Sequence, residues 1–454
     1  MEKRPFYHAL KVVENVCIGC THCMNVCPTK AIRVESGIAD INKYACVDCG
    51  ECLKVCPVNA IIVEQDDFNQ IFRFKQRVAL LPTVLLGQFP DDITEEQIYS
   101  VIKGMGFTHV FEVDEAVDLL IEGTKEYMRK NTQMRPFISS FCPAVVRLIQ
   151  VRFPSLVENI VRLKPVVDIS SQFYRKKLID EGFDSEDIGI FYITPCAAKI
   201  ASVKSPVGED ELFTDGVINM DFIYNKVMLS IKKASNDVSE VSNYRHLSKT
   251  SIEWSLTNGE ASQYSGRCLA VDEIHNVIAF LDKLENEEIT DVDFLELRAC
   301  DRSCAGGVLS TENRFLAVER LSKRANKDIK KQKETEEMYT SYRPYLLSNM
   351  SISEVEPRSI LSLDSNMMIA MDKMKKIQRI MRVLPGIDCG ACGAPKCKVL
   401  AEDIVQGKAK MTQCVFLQKM LTKEELISPQ ESFDISEKTW GKGRFEKKTI
   451  KDKK

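Results

Sequence analysis

Ile188-Gly-Ile-Phe-Tyr-Ile-Thr194-Pro-Cys196-Ala-Ala-Lys199 is a β-branched and aromatic run that stops at a proline and a cysteine. A short, continuously apolar run of this kind reads as a buried strand, and the residues after Cys196 open a helix. Two further runs end the same way. Phe137-Ile-Ser-Ser-Phe141-Cys142-Pro143 is one; Phe294-Leu-Glu-Leu-Arg298-Ala-Cys300-Asp-Arg-Ser303-Cys304, followed by Ala-Gly-Gly, is the other. The strand-like runs are Val78–Leu86, Pro136–Ser139, Ile188–Ile193 and Phe294–Leu297, and helical spacing of apolar residues covers Asp114–Met128 and Asp272–Leu284. From about Val78 to Leu321 this alternation predicts an α/β fold with mostly parallel sheets.

Ligand sites of open α/β sheets lie beyond the carboxyl ends of the strands. Cys142, Cys196, Cys300 and Cys304 all sit at such ends, and the helix N-termini after Pro143 and Cys196 favour thiolates there. One buried cysteine reads best as a small hydrophobe. Four at converging strand ends read better as a metal site.

The segments SSFCPAVVRLIQVRFPSL, FYITPCAAK and ELRACDRSCAGG, in this order, resemble the three signature segments of the iron-only (FeFe) hydrogenase catalytic domain. The resemblance implies that Cys142, Cys196, Cys300 and Cys304 hold a 4Fe–4S cube. It implies that Cys304 bridges to a diiron centre with carbonyl, cyanide and dithiolate ligands, and that Lys199 hydrogen-bonds a cyanide. The bland alternative for Lys199 is a surface lysine on a first helical turn. The departures are specific. Phe141 stands where active members carry a proton-relaying cysteine, and Thr194 and Arg298 stand where they carry methionines. Ser303 replaces a glycine, and the following glycine run is shortened to Gly306 and Gly307. The pattern resembles the divergent, sensory branch of the family, and rapid hydrogen turnover is not expected of it.

The N-terminal region is an internal repeat. Cys17-x2-Cys20-x2-Cys23-x3-Cys27-Pro28 recurs 29 residues later as Cys46-x2-Cys49-x2-Cys52-x3-Cys56-Pro57. This is the bacterial dicluster ferredoxin pattern, in which the fourth cysteine of each copy ligates the other cube. One cube takes Cys17, Cys20, Cys23 and Cys56; the other takes Cys46, Cys49, Cys52 and Cys27. Zinc knuckles explain neither the third cysteine nor the proline.

A third set closes the chain: Cys389-x2-Cys392-x4-Cys397-x16-Cys414, with Gly390 and Gly393 inside it and a helix expected over Val399–Gln406. It resembles the 4Fe–4S domain of ion-pumping electron-transport complexes and corrinoid iron–sulfur proteins; zinc is the alternative that four cysteines also permit. Before it runs a helical segment with Met367, Met368, Met371, Met374 and Met381, expected to be adaptable core packing. Sixteen of the 17 cysteines thus fall into four sets of four, leaving Cys268 alone, and the five histidines show no metal-ligand spacing.

Composition narrows the function. The 454 residues suggest about three domains. The expected divisions are 1–70 dicluster module, 71–345 hydrogenase-like α/β domain, 346–383 linker and Met-rich helix, 384–430 C-terminal 4Fe–4S domain, and 431–454 charged, disordered tail. The formal net charge of −3 offers no electrostatic case for nucleic acid. The longest nearly apolar run, Val78–Gly87, is half of what a membrane span needs, and the N-terminus MEKRPFYHALKVVEN lacks the apolar stretch of a secretory signal. Clustered cysteines in a chain with no route to an oxidising compartment point to cytoplasmic metal or redox chemistry. The expected protein is an oxygen-sensitive oxidoreductase or hydrogen sensor of an anaerobe. It exchanges electrons through flanking 4Fe–4S clusters with a ferredoxin, another redox partner or a signalling partner. The rival is a pure electron-transfer protein with the cubes and no diiron centre.

Overall fold

The computed structural model describes residues 6–208, 211–233, 247–326, 333–358 and 366–445. They form two compact units. The larger is drawn from Met1–Ala9, Val47–Cys49 and Val63–Pro357; the smaller from Leu10–Cys46, Gly50–Ile62 and Arg358–Lys454.

The larger unit is built on two parallel sheets. In the first, Gln76–Leu81 lies between His109–Glu112 and Ile188–Thr194, and Ile188–Thr194 pairs in turn with Gly216–Asn219. In the second, Phe294–Leu297 lies between Cys268–Val271 and Phe137–Ile138. Every residue of Ile188–Thr194 is buried, which is why that strand reads as an unbroken apolar run: a parallel strand is covered on both faces.

Each cysteine-bearing strand end is followed at once by helix or turn. Pro143–Arg152 starts with its proline in the first turn, where the missing N–H costs nothing. Its residues Val145, Leu148 and Ile149 form a core with Leu281, Leu295 and Leu297. Ala197–Lys204 starts directly after Cys196. The run Val78–Leu86, expected as one strand, is a strand only to Leu81, and Thr83–Leu86 is helical. Pro82 between them has no N–H to continue the ladder. Residues 346–357, expected as linker, belong to the larger unit, anchored by Lys164 N to Met350 O at 2.8 Å and Ser353 N to Gly208 O at 2.8 Å.

The smaller unit joins what were expected as separate domains. The antiparallel hairpin Ile32–Glu35/Ile38–Ile41 of the repeat meets the C-terminal segment through main-chain bonds: Val34 N to Gly393 O at 2.9 Å, Ser36 N to Lys438 O and Gly37 N to Thr439 O, both at 3.0 Å. Arg33 adds an ion pair to Asp403 at 2.6 Å. Gly393 has φ +83°, and a Cβ there would collide with Val34 O, so the junction requires glycine.

The tail from 431, expected to be disordered, is helical over Pro429–Trp440; its last residues, 446–454, lie outside the described residues. Ser428 and Glu431 form a capping box around Pro429, so local chemistry starts the helix despite its charge. The methionine helix Met367–Val383 forms, but Met368, Met371 and Met374 are exposed. Ile377, Ile380 and Met381 do the packing instead.

Candidate metal centres

Cys142 and Cys196 are the N-cap residues of their helices. Cys304 lies in the 3-10 turn Ser303–Gly306, and Cys300 sits one turn earlier, its carbonyl accepting from Ser303 N at 3.1 Å. Burial pushes the Cys196 thiol up to about 12, with Cys304 and Cys142 adding to the rise against Lys199. Burial raises Cys142 too. A metal bound here would hold these half-buried sulfurs as thiolates, since a coordinating thiol gives up its proton outright.

Lys199 is half-buried, with its ammonium turned towards the candidate ligands. Its Nζ lies 3.9 Å from Cys304 Sγ and 4.4 Å from the centre of the Phe141 ring. Burial acts to lower its proton affinity, yet Cys304, Tyr192, Cys196 and Asp114 outweigh that and hold it raised. Phe141 is also covered by Arg298, whose Cζ stands 3.8 Å from the ring centre, and by Trp254 edge-on at 6.2 Å. Arg298 is held by Glu260 at 2.9 Å and Glu296 at 3.4 Å. Burial lifts the Glu260 carboxyl to about 7 against the pull of Arg298. Thr194 does not reach the cavity beside Cys304. Its hydroxyl donates to Cys196 O at 3.3 Å and accepts from Cys196 N at 3.4 Å, tying down its own loop.

That cavity is lined by Phe141, Lys199 and Cys304, by Tyr192 of the FYITPCAAK segment, and by two residues that no sequence motif marks as functional: Asp114 and Ser255. Asp114 accepts from Thr83 N at 2.7 Å. Neither it nor Ser255 belongs to a spaced set, so only the fold reveals them. The donor set fits the implied group: thiols gathered at the strand ends, one fixed cation and a buried unpartnered hydroxyl on Ser255 facing a cavity.

In the smaller unit, Cys17, Cys20, Cys23 and Cys56 line one cavity, so the last cysteine of the second copy joins the first three of the first. Burial pushes Cys23 up to about 11, with Cys20, Cys17 and Cys56 contributing. Main-chain N–H groups point at sulfur: Ala39 to Cys17 at 3.4 Å, Ala31 to Cys27 and Ala60 to Cys56, both at 3.2 Å. Such bonds tune cluster potentials. Cys46 and Cys52 are buried. Cys49, which belongs to the larger unit, packs half-buried against that unit's own core. Around the C-terminal set, burial raises Cys392 to about 11, with Cys414 and Cys389 adding to it. Cys397 N is fixed by Asp388 Oδ1 at 2.7 Å. Cys268 Sγ faces the carbonyls of Tyr264 and Ser265, each at 3.7 Å.

Three family models match the chain. The iron-only hydrogenase large subunit, C-terminal domain, matches residues 78–251; the 4Fe-4S dicluster domain matches 9–57; an Fe-S cluster family matches 384–416. The NADP-reducing hydrogenase subunit HndD of Solidesulfovibrio fructosivorans is 24% identical over 227 residues, 47% of this chain and 34% of that protein. A component of the ion-translocating oxidoreductase complex of Rhodobacter capsulatus is 47% identical over 38 residues, 8% of this chain and 20% of that protein. The chain therefore spans about a third or less of these curated relatives. A solved FeFe-hydrogenase structure, from work on oxygen inactivation of the H cluster, is similar in fold at 13% identity and TM-score 0.50; the match covers 65% of this chain and 97% of that one. Among the described residues no helix is long and apolar enough to cross a membrane. The chain thus carries a segment similar to the iron-only hydrogenase large subunit, with the fold of a solved FeFe hydrogenase, after an N-terminal segment similar to the 4Fe–4S dicluster domain.

Proposed function

We propose that the protein interconverts hydrogen with protons and electrons slowly at its central site, and that its cluster redox state reports hydrogen to a partner. The observation carrying this reading is the cavity that joins Cys304 and Lys199 and is walled by Phe141. Cys142, Cys196, Cys300 and Cys304 would hold the central cube, and Cys304 would carry the diiron group, which when bound supplies the place where hydrogen is made or split. Lys199 keeps a fixed positive charge beside the Cys304 sulfur and would orient an anionic ligand. Phe141 excludes water and can neither give nor take a proton, so it slows proton delivery. Electrons would travel through two ferredoxin-type cubes or a C-terminal cube, which the N-terminal and C-terminal cysteine sets would hold. A cleft beside Cys392 presents the exposed lysines Lys43, Lys408, Lys410 and Lys438, a surface suited to an acidic carrier such as a ferredoxin or to an acidic signalling protein.

The rival is an electron-transfer protein with no diiron centre. It draws support from the Phe141–Arg298 stack, which fills space that polar or sulfur side chains would otherwise line. Infrared absorption of the matured protein separates the two. Carbonyl and cyanide bands, accompanied by slow hydrogen uptake or evolution, are the expected result; their absence in protein with all cubes assembled favours the rival.

A further inference from the structure

Ser255 carries a buried hydroxyl without a mate. The residue is 3% exposed, and its Oγ has no hydrogen-bond partner among the described residues. It lines the cavity that also contains Cys304, Lys199 and Phe141. Buried polar groups are almost always paired, so an orphan at the wall of a cavity points to a group that completes it.

The main chain prevents an easy escape. Cys304 N donates to Ser255 O at 3.1 Å, and Arg298 Nη2 reaches Trp254 O at 3.5 Å. The loop bearing the hydroxyl is therefore clamped to the candidate ligand on one side. On the other it is clamped to the arginine that stacks on Phe141.

We propose that Ser255 donates a hydrogen bond to an anionic acceptor atom of the iron group borne by Cys304, as a second polar anchor beside Lys199. A serine hydroxyl offers one rotatable donor proton, and in a cavity closed by Phe141, Val84 and Val166 a donor to an anion is strengthened by the low local dielectric. The inference rests on the diiron reading above, and it assigns a role to a residue outside the three cysteine-bearing segments.

The test is infrared spectroscopy on matured, non-turning-over protein. Wild type, Ser255→Ala and Ser255→Thr are compared, with iron content and the visible cluster absorbance measured on each. The expected result is a shift of at least one cyanide or carbonyl band in Ser255→Ala, with return towards the wild-type position in Ser255→Thr. Loss of all bands in Ser255→Ala at wild-type cube content, with recovery in Ser255→Thr, also supports an anchor. Bands present and unmoved in Ser255→Ala overturn the inference while leaving the diiron reading intact. A shift or loss that Ser255→Thr does not reverse also overturns it, because packing rather than the hydroxyl is then responsible. Absence of bands from the wild type, with the cubes assembled, removes the diiron reading and this inference together.

Discussion

Phe141 and Arg298 depart from the active-hydrogenase pattern as a pair, because the guanidinium of one lies on the ring of the other at 3.8 Å. Phe141→Cys alone removes that ring from a buried site, leaves a cavity, and leaves Arg298 where a thiol would have to work. Large-to-small changes of this kind cost roughly 2–5 kcal/mol. The double variant Phe141→Cys/Arg298→Met restores both family residues together, while leaving the buried Glu260 and Glu296 carboxyls without their guanidinium. General acid–base relay by a positioned group contributes about 10²–10⁴-fold. Hydrogen evolution driven by a chemical reductant should therefore rise at least about tenfold in the double variant, and less in Phe141→Cys alone. No gain in a double variant with its infrared bands present would show that protons do not limit the rate. Glu260 gives the same neighbourhood a pH signature. Its carboxyl is raised from 4.5 to about 7, by burial first and by Glu296, against Arg298 and the Ser139 hydroxyl. A raised carboxyl contributes stability that is fully present below 4.5 and lost as the pH climbs through about 7. Wild type should thus lose thermal stability relative to Glu260→Gln across that window, and a difference that does not change with pH would count against the assignment.

At the scale of elements, Arg324 ties the helix Arg314–Ala325 to two buried or half-buried carboxylates. Arg324 donates to Glu112 at 2.7 and 3.0 Å and to Glu95 at 2.7 and 3.1 Å, while Tyr99 donates to Glu112 at 2.7 Å. Glu112 and Arg324 are both buried, so Arg324→Met strands a carboxylate; breaking such a pair costs about 3–5 kcal/mol. Denaturant titration should show a loss of that order, and Arg324→Lys should recover only part of it, because an ammonium cannot replace the paired fork. None of these partners was visible in the sequence, where Glu95, Glu112 and Arg324 look like ordinary surface charges. The strand Ile188–Thr194 was legible because burial on both faces leaves a continuous apolar signal, and Phe294–Leu297 because three of its four residues are apolar around the buried Glu296. His109–Glu112, Gly216–Asn219 and Cys268–Val271 were not. Each is four residues long, and a histidine, a glycine or a cysteine within it blurs the pattern. The N-terminal and C-terminal cysteine sets were legible because their spacing is local, and the central four because each follows a strand-like run. Ser255 and Asp114 were not, because only folding brings them to Cys304 and Lys199.

At the scale of the whole molecule, the metal count tests the four sets of cysteines at once. Sixteen clustered cysteines at four per cube predict about sixteen irons in the reconstituted protein, with about two more when the diiron centre is inserted. Stoichiometric zinc with iron near about twelve would instead assign the C-terminal set to zinc. The helix Pro429–Trp440 makes that set dependent on a segment far outside it. Trp440 Nε1 donates to Ala391 O at 3.0 Å, between Cys389 and Cys392. Ser432 and Ser436 donate to Gln418 Oε1 at 3.0 and 3.3 Å, on the helix that follows Cys414. Lys438 and Thr439 supply the carbonyls that receive Ser36 and Gly37. Ending the chain before Ser428 therefore withdraws support from both ends of the C-terminal set, and leaves two main-chain N–H groups of the hairpin without their acceptors. The shortened protein should fall from about sixteen irons towards about twelve. Its ferredoxin-type clusters should still take up electrons, because Pro429–Trp440 sends no side chain into the cavity lined by Cys17, Cys20, Cys23 and Cys56; that loop loses only the Arg444 guanidinium on Ile18 O and, at 2.9 Å, on Gly19 O. Iron analysis with electron paramagnetic resonance of the reduced protein reads both quantities in one sample. Full iron content in the shortened chain would mean that the terminal helix merely covers a site able to form without it.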